Sequence, residues 1–257
     1  MTASLPFQAL SLDLWFTTFY HTASDATGWD RARQTVLRQF LAARNGAPWS
    51  DEAIAEATGK VGSGLRVNGR SSVTTDPEAV ARAVAASLGT ELLGPPGAAG
   101  RALSSAGLQE CPPRLNPEAD ALVRWLEARG IPTVLLTNSA RRAASWEEFL
   151  RAREGPPFRL VLSSCDLGVA KPEPAIFLEA TERLGVPAGR MLHVGDRWEL
   201  DVEGARSAGC PAGLYRGLWP RYPPGLYDDL PPPRVEPPEV RLLDDLRVLQ
   251  DPSLWDR

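Results

Sequence analysis

One set of polar side chains in this sequence has the types and the spacing that phosphoryl chemistry requires. Its members are Asp13, Thr137, Asn138, Lys171, Asp196 and Asp201. Two or three carboxylates that converge on one place repel each other unless a cation lies among them, and oxygen ligands favour Mg²⁺. A lysine and a hydroxyl beside such an ion form a site for a phosphoryl group. The chemistry that suits this site is nucleophilic attack by a carboxylate, with an aspartyl intermediate.

The elements that would bring this set together are β-strands, which we predict from short apolar runs in the sequence. An apolar run that stops abruptly is typical of a buried strand. Such runs alternate with helical patterns from residue 116 onwards, which predicts an α/β fold with a doubly wound parallel sheet. We predict strands at 9–12, 133–136, 160–162, 191–194 and 212–215, and helices that include 141–153 and 172–184. Ligands bind at the carboxyl edge of such sheets, and the polar set would lie there.

Between the first strand and residue 116 the pattern is helical, from about residue 24 to residue 108. Apolar residues recur there at three- and four-residue steps, as on one face of an amphipathic helix. Asp76 followed by Pro77 is typical of a helix N-terminus, and Gly89 is placed to end that helix. We therefore expect a small bundle of helices inserted after the first strand. The expected domains are 1–18 with 112–257 as the core and 19–111 as the helical insertion.

Four stretches, in this order, resemble the motifs of the haloacid dehalogenase (HAD) superfamily. They are SLDLWFT at 11–17, LLTN at 135–138, KPEPAIF at 171–177, and HVGD at 193–196 continuing through Asp201 to GARSAG at 204–209. The resemblance covers about 7–18 and 114–215. It implies a HAD-like Rossmannoid core with a small α-helical cap domain of the first type, which lies between the first and second motifs. Residues 19–111 occupy that place.

The resemblance also implies a role for each matching residue. Asp13 would be the nucleophile. Thr137 would donate its hydroxyl to the phosphoryl oxygens, with the backbone of Asn138 beside it. Lys171 would neutralise charge between the nucleophile and the phosphoryl group.

A Mg²⁺ site is the second implication of the resemblance. Asp13 and Asp196 would bind the ion through their carboxylates, and Trp15 would bind it through its backbone carbonyl. Asp201 would bind it through water or would hold Lys171. The expected cofactor is therefore Mg²⁺, and the expected partner is a small, phosphorylated substrate.

The first motif departs from the phosphatase pattern at Trp15. Phosphatases of the family carry a second aspartate there, which protonates the leaving oxygen and then activates water. An indole does neither. Family dehalogenases carry a tyrosine at this position, and phosphonate-cleaving members carry a small residue. Phe16 also stands where a glycine is common, and Thr18 replaces a usual leucine.

Two further residues are candidates for contact with the substrate. His21, six residues after Trp15, could replace the missing acid, since the unperturbed pKa of histidine suits that work; its other interpretation is a surface loop residue. Lys60 lies in the helical insertion, where phosphonate-cleaving relatives use a Schiff-base lysine; its other interpretation is a solvated lysine. His193, inside an apolar run, is expected to be a hydrogen-bonded core histidine.

Composition excludes several other classes of protein. The net charge of −4 and a pI near 5.4 do not indicate a nucleic-acid-binding protein. No apolar run approaches the ~18 residues of a membrane span, and the first residues lack the pattern of a signal peptide. The three cysteines are far apart in the sequence, which predicts free thiols in a reducing compartment. We expect a cytoplasmic monomer or homodimer, with residues 219–239 as a proline-stiffened arm.

Three functions remain open from the sequence. The first is a Mg²⁺-dependent phosphatase that forms an aspartyl-phosphate intermediate. The second is hydrolysis like that of the dehalogenases or the phosphonate-cleaving members, which do not need the missing acid. The third is a catalytically weakened protein of this fold that works by binding, through the helical insertion and the arm.

Overall fold

The computed structural model describes residues 5–65, 74–221 and 240–251, and for residues 63–65 it describes the backbone alone. The strands are β1 (Ala9–Leu12), β2 (Phe19–Tyr20), β3 (Arg114–Leu115), β4 (Thr133–Thr137), β5 (Leu160–Ser163), β6 (Met191–Gly195), β7 (Ala212–Tyr215) and β8 (Val240–Leu243). The α-helices are α1 (Ala23–Phe40), α2 (Asp51–Leu65), α3 (Pro77–Leu88), α4 (Ala98–Ser105), α5 (Pro117–Glu127), α6 (Ala143–Ala152), α7 (Ser164–Leu167), α8 (Pro174–Leu184) and α9 (Gly204–Ser207).

Six of the strands form one parallel sheet in the order β5-β4-β1-β6-β7-β8. The central strands are buried on both faces, as parallel strands covered by helices must be. Leu10 and Leu12 of β1 pack in the same cluster as α5, and Ala9 packs in the same cluster as α8. Helices therefore cover both faces of the sheet. The predicted doubly wound α/β fold is confirmed.

The register of the sheet brings the ends of three strands to one edge. Leu12 of β1 is level with Leu135 of β4 and with Val194 of β6. The N–H of Asp13 donates to the carbonyl of Val194 at 2.9 Å, so the first residue after β1 is fixed to its neighbour. The residues that follow these strands consequently lie together at the carboxyl edge.

A second unit of packing is formed by α1 to α4, which we call the helical segment (residues 23–105). Its own hydrophobic cluster includes Leu37, Ile54, Ala81 and Val84. Strand β2 precedes the segment in the chain and β3 follows it. The two strands pair as a short antiparallel ribbon, with Phe19 opposite Leu115. The expected helical insertion after the first strand is thus present. Its treatment as a separate domain of residues 19–111 stays a prediction.

The ends of some helices differ from the sequence predictions, and these ends lie next to the loops that contain site residues. The helix expected at 141–153 is α6, which begins at Ala143 and ends at Ala152. The helix expected from residue 172 is α8, which begins at Pro174, and Lys171–Pro172 is a cis peptide bond. Asp196 is followed by a π-helical turn, Trp198–Glu203, and then by α9. Most of the proline-rich arm lies outside the described residues.

Within the described ranges, no helix is both long enough and apolar enough to cross a bilayer.

Candidate active site

Asp13 lies at the carboxyl edge of the sheet, buried beneath the loop that follows β1. The hydroxyl of Thr18 donates to the Asp13 carbonyl at 2.7 Å and so ties the loop back on itself. Phe16, at the turn of this loop, has φ of +55° and is fully buried. Such a φ is the left-handed region that favours glycine, which agrees with the glycine common at this position. The loop fixes Asp13 at the sheet edge with its carboxylate toward Lys171.

Lys171 is held from both ends. Its backbone N–H donates to Oδ1 of Asn138, and Nδ2 of Asn138 donates to the Lys171 carbonyl, each at 2.8 Å. Its ammonium group contacts the carboxylate of Asp13 and lies 2.6 Å from Oδ1 of Asp201. The side chain is buried and contacts the predicted nucleophile, whereas its predicted role toward a phosphoryl group stays a prediction. Asn138 acts here through its side chain, whereas the sequence indicated only its backbone.

The π-helical turn after β6 positions the carboxylate of Asp201 next to Lys171. The N–H of Arg197 donates to Oδ2 of Asp201 at 2.9 Å. A Cβ at Gly195 would lie 2.2 Å from Cγ of Asp201, so the carboxylate occupies the space that only a glycine leaves. The position of Asp201 therefore depends on a turn and a glycine that no helix pattern in the sequence predicts.

His193 supports Asp201 from within the sheet. Its Nε2 lies 3.2 Å from Oδ1 of Asp201, and its Nδ1 lies 3.0 Å from Oγ of Ser11. Since a carboxylate only accepts, Nε2 carries the proton and Nδ1 accepts from the serine hydroxyl. Burial lowers the pKa of His193, more than the contact with Asp201 raises it, so the ring is neutral. The expected core histidine is thus a support of the site.

Burial and mutual contact shift the pKa values of these groups in different directions. Burial raises the pKa of Asp13 to about 6, with Lys171 opposing the shift and Asp201 adding to it. For Asp201, burial acts upward, but Lys171 and His193 outweigh it and hold the pKa below its usual range. For Lys171, burial acts downward, but Asp13 and Asp201 outweigh it and raise the pKa. Lys171 and Asp201 are therefore charged at neutral pH.

Three buried carboxylates gather at this edge with one lysine among them. Oxygen atoms of Asp13, Asp196 and Asp201 all lie within 4.8 Å of one another. With all three ionised, their three negative charges outnumber the single positive charge of Lys171 in this buried group. An oxygen-rich donor set of this charge suits Mg²⁺, which is bound through few carboxylates and keeps several waters. The donor set fits the ion that the sequence predicts.

Thr137 ends β4 with a buried hydroxyl. Its Oγ1 has no hydrogen-bond partner among the described residues, although the side chain is only 1% exposed. A buried hydroxyl without a partner has a free-energy cost of about 1–3 kcal/mol. A ligand oxygen would satisfy it, which is the role that the sequence assigns to Thr137.

Trp15 packs in an aromatic cluster where the family's second aspartate would stand. Its ring centroid lies 5.0 Å from that of His21, 5.1 Å from that of Trp29 and 5.6 Å from that of Trp146. The indole is only partly buried. Trp29 belongs to α1 and Trp146 to α6, so the cluster joins the helical segment to the core.

His21 is a member of this cluster and is not an exposed loop residue. Its Nδ1 lies 3.1 Å from the carbonyl of Thr22, and its ring also packs against Phe16 and Trp29. Since a carbonyl only accepts, Nδ1 carries the proton, which leaves Nε2 as an acceptor. Burial lowers the pKa of His21, so the ring is neutral at pH 7.

Lys60 is the predicted site residue that the structure does not bring to this set. It lies on α2, its side chain is 67% exposed, and its ammonium is 2.7 Å from Glu56. Its contacts among the described residues do not include Asp13 or Asp201. Arg141, which the sequence analysis used only to mark a helix start, is instead buried beside the aromatic cluster. Its position in the loop after Thr137 was the signal that could have singled it out.

Comparison with known proteins agrees with this geometry. A family model described as haloacid dehalogenase-like hydrolase matches residues 17–209, more than half of the chain, and begins four residues after Asp13. The chain is 34% identical over 137 residues to the glyceraldehyde 3-phosphate phosphatase of Methanopyrus kandleri, covering 52% of this chain and 58% of that protein. It is 38% identical over 110 residues to the phosphoserine phosphatase of Thermus thermophilus, covering 42% and 44%. The chain spans about half the length of these curated relatives.

Solved structures share the fold over nearly the whole chain. A 2-haloacid dehalogenase from Pseudomonas syringae pv. Tomato has a TM-score of 0.62 at 20% identity, covering 98% of this chain and 100% of that one. A HAD phosphatase from Thermococcus onnurineus has a TM-score of 0.60 at 20% identity, covering 94% and 95%. Such low identity shows the fold alone, but the family model spans the second to fourth motifs in sequence. The chain therefore belongs to the haloacid dehalogenase-like hydrolase family.

Proposed function

We propose that this chain is a Mg²⁺-dependent phosphatase of small phosphorylated metabolites, with Asp13 as the nucleophile. The observation that carries the proposal is the arrangement of Asp13, Lys171, Asp201 and Asp196 within one buried group. The two curated relatives named above, from Methanopyrus kandleri and Thermus thermophilus, are phosphatases, which supports the reaction class. A cytoplasmic location and a monomeric or dimeric state stay predictions.

In the proposed reaction, an oxygen of Asp13 attacks phosphorus and the ester oxygen leaves. Lys171 and the hydroxyl of Thr137 would bind the phosphoryl oxygens and so stabilise the charge that develops there. Water then attacks the aspartyl phosphate, releasing phosphate and regenerating Asp13. His193 and Asn138 touch none of the reacting atoms; they hold Asp201 and Lys171 in place.

The proposed ion would be held by the carboxylates of Asp13 and Asp196 and by the backbone carbonyl of Trp15. Asp201 is already engaged with Lys171 and would act through water. When bound, Mg²⁺ supplies positive charge that polarises the phosphoryl group. The same charge would lower the pKa of Asp13 and keep the nucleophile ionised.

Proton transfer is the step in which this chain departs from its family. Trp15 has no acid to give the leaving oxygen its proton. The leaving oxygen would therefore take its proton from water. We propose that Nε2 of His21 acts in the second step only, since it is the unprotonated nitrogen of a neutral ring that packs on Trp15. A neutral imidazole suits the second step, in which it would accept a proton from the attacking water. The substrate role once suggested for Lys60 gains no support from its exposed ion pair.

The helical segment would act as a cap of the first type over this site. Trp29 on α1 contacts Trp15, and Ser104 on α4 lies 2.7 Å from Ser145 on α6, hydroxyl to hydroxyl. Contacts of this kind support a position of the segment over the carboxyl edge. Closure would exclude water and select the substrate.

The direct test is a phosphatase screen with and without Mg²⁺, run on the parent protein, on Asp13→Asn and on Asp30→Asn. Asp30 is an exposed partner of Arg33 and serves as the matched control. We expect Mg²⁺-dependent turnover that Asp13→Asn reduces to background and Asp30→Asn leaves unchanged. Turnover that is equal in all three proteins, or absent for every phosphoester, would remove the proposal.

The catalytically weakened binding protein is the second candidate, because an indole replaces the family's acid. The Trp15→Asp variant separates the two. A large gain in generic phosphatase activity would mean that the remaining site is competent and that Trp15 restrains it. An inert variant of an inert parent would favour a binding role. The dehalogenase-like alternative predicts release of halide from a 2-haloacid without metal, for which three buried carboxylates are not needed.

A further inference from the structure

Arg141 is a buried cation that the proposed reaction does not use. It lies in the loop between β4 and α6, four residues after Thr137, and its side chain is only 4% exposed. No ion pair joins it to a carboxylate within 4.0 Å in the described part of the chain. A desolvated guanidinium that no carboxylate contacts has a large free-energy cost, so it needs an explanation.

The contacts of Arg141 satisfy one side of its guanidinium and leave the other side open. Nη1 donates to the carbonyl of Ser104 on α4 at 2.7 Å. The guanidinium carbon lies 6.0 Å from the ring centroid of Trp29, within reach of a cation–π contact. Nη2 is buried and has no hydrogen-bond partner among the described residues. One charged donor is thus aimed into the interior without a partner.

The place of this donor relates it to the candidate active site. Trp29, under the guanidinium, packs on Trp15, which lies two residues after Asp13. The loop that contains Arg141 begins directly after Thr137, whose hydroxyl is unpartnered among the described residues. Three buried donors without partners, Oγ1 of Thr137, Nη2 of Arg141 and Nε of Arg142, therefore lie in this short stretch, where the helical segment meets the core. A substrate bound at Asp13 would extend toward this seam.

We propose that Arg141 binds a carboxylate of the substrate, so that the preferred substrates are phosphorylated carboxylic acids. This inference rests on the proposed phosphatase function and names its substrate class. One guanidinium with one open donor matches a single negative charge, which a carboxylate carries, whereas a second phosphate would bring about −1.5 to −2. Burial lowers the pKa of Arg141 to about 9, with Arg33 acting in the same direction and the carboxylate of Glu110 opposing it, and the group is still charged at pH 7.

The adjacent Arg142 provides a matched control. It lies on the same seam, but its Nη2 is 2.6 Å from a carboxylate oxygen of Asp76, so its charge is already paired. Its backbone N–H donates to Oγ of Ser104 at 2.7 Å. Nε of Arg142 is, like Nη2 of Arg141, buried without a hydrogen-bond partner among the described residues. Arg142→Gln therefore removes a paired cation, a contact between the segment and the core and one unpartnered donor, and it leaves Nη2 of Arg141 in place. Any general effect of weakening the seam will appear in this variant.

The experiment compares 2-phosphoglycolate with ethyl phosphate, two phosphomonoesters that differ by a carboxylate in place of a methyl group. The parent should prefer 2-phosphoglycolate in kcat/KM by roughly tenfold or more, the effect of one charge-assisted hydrogen bond. Arg141→Gln should lose roughly 10- to 100-fold on 2-phosphoglycolate and change little on ethyl phosphate. Arg141→Lys should keep part of the preference, and Arg142→Gln should keep all of it.

Thermal unfolding distinguishes a substrate-binding role of Arg141 from a structural one, because the two roles predict different changes in Tm. Arg141→Gln removes a buried cation that no carboxylate contacts, so we expect its Tm to equal or exceed that of the parent. A lower Tm together with equal losses on both substrates would identify Arg141 as a structural cation and overturn the proposal. A parent with no preference for the carboxylate would overturn it as well.

Equilibrium binding separates this proposal from the proposed phosphatase function. Tryptophan fluorescence, to which Trp29 contributes, follows titration of Asp13→Asn with each of the two phosphomonoesters, with and without the Arg141→Gln change. Tighter binding of 2-phosphoglycolate that depends on Arg141 supports the subsite even if no protein shows turnover. Equal binding of both compounds, or no effect of Arg141→Gln, overturns it whatever the activity.

Discussion

Replacing Lys171 with methionine is the sharpest test of the buried charge cluster, because the chain has a second lysine as its control. Lys171 is the ammonium that contacts both Asp13 and Asp201, and its side chain is 2% exposed. Methionine has a similar length and no charge. Lys171→Met therefore leaves the carboxylates of Asp13, Asp196 and Asp201 in place and removes the cation among them.

The expected loss of stability follows from the distances between the carboxylates. Two charges separated by the 4.8 Å limit of this cluster repel by about 3–4 kcal/mol at an effective dielectric constant of 20. Removing one partner of a buried ion pair has a similar measured free-energy cost, about 3–5 kcal/mol. Protonation of Asp13, whose pKa is already raised, relieves part of this below pH 7. At pH 8 we expect a loss of about 3 kcal/mol, or a Tm lower by about 6–12 °C.

Mg²⁺ should restore part of this loss, because the cluster of the variant carries one more uncompensated negative charge. If the variant binds Mg²⁺ at least tenfold more tightly than the parent, its stabilisation at saturating ion is larger by at least about 1.4 kcal/mol. Differential scanning fluorimetry with EDTA and with Mg²⁺ measures both effects. The Tm of the variant should therefore rise further on addition of Mg²⁺ than the Tm of the parent.

Lys60→Met is the control, because Lys60 lies in an exposed pair with Glu56 on α2. Exposed pairs contribute little to stability, so we expect its Tm to stay within about 1 °C of the parent. The reasoning fails if Lys171→Met is as stable as Lys60→Met in EDTA. It also fails if the two variants respond equally to Mg²⁺, since the carboxylates would then not act as one cluster.

Three further outcomes follow from the structure. Gly195→Ala places a Cβ 2.2 Å from Cγ of Asp201, so Mg²⁺-dependent stabilisation in scanning fluorimetry should be lost while the far-ultraviolet circular dichroism is kept. Tyr215→Phe leaves Nδ2 of Asn116 without the tyrosine hydroxyl at 3.1 Å, and urea unfolding should show a loss of about 1–2 kcal/mol. Burial raises the pKa of the Cys210 thiol to about 11, so its alkylation at pH 8, followed by peptide mass spectrometry, should be roughly 100-fold slower than in denaturant.

The strands and the site edge were predictable from sequence because each depends on a local pattern. Apolar runs that stop at polar residues predicted β1, β4 and β6, and parallel strands necessarily bring those ends together. This is why Asp13, Thr137 and Asp196 could be assigned to one edge before any contact was known. The bundle of helices after β1 was predictable for the same reason, from its apolar periodicity.

Contacts between distant parts of the chain were not predictable. Ser11 and His193 meet across the sheet, and Asn138 reaches Lys171 through its side chain, both at large separations in sequence. The π-helical turn that delivers Asp201 has the composition of an ordinary helix. Its geometry is set by the space left at Gly195, which no periodicity reports. Tertiary packing, and not local preference, decides each of these features.

The free-energy costs of this site bear on whether Trp15 alters catalysis or abolishes it. The fold retains three clustered buried carboxylates, an unpartnered hydroxyl at Thr137 and an open guanidinium at Arg141. Each feature destabilises the free protein and is relieved only by a bound ion or ligand. A chain that no longer bound either would gain stability from almost any apolar substitution at these positions. That all of them remain beside an indole argues that Trp15 alters how the proton moves in a site that still binds its ligands.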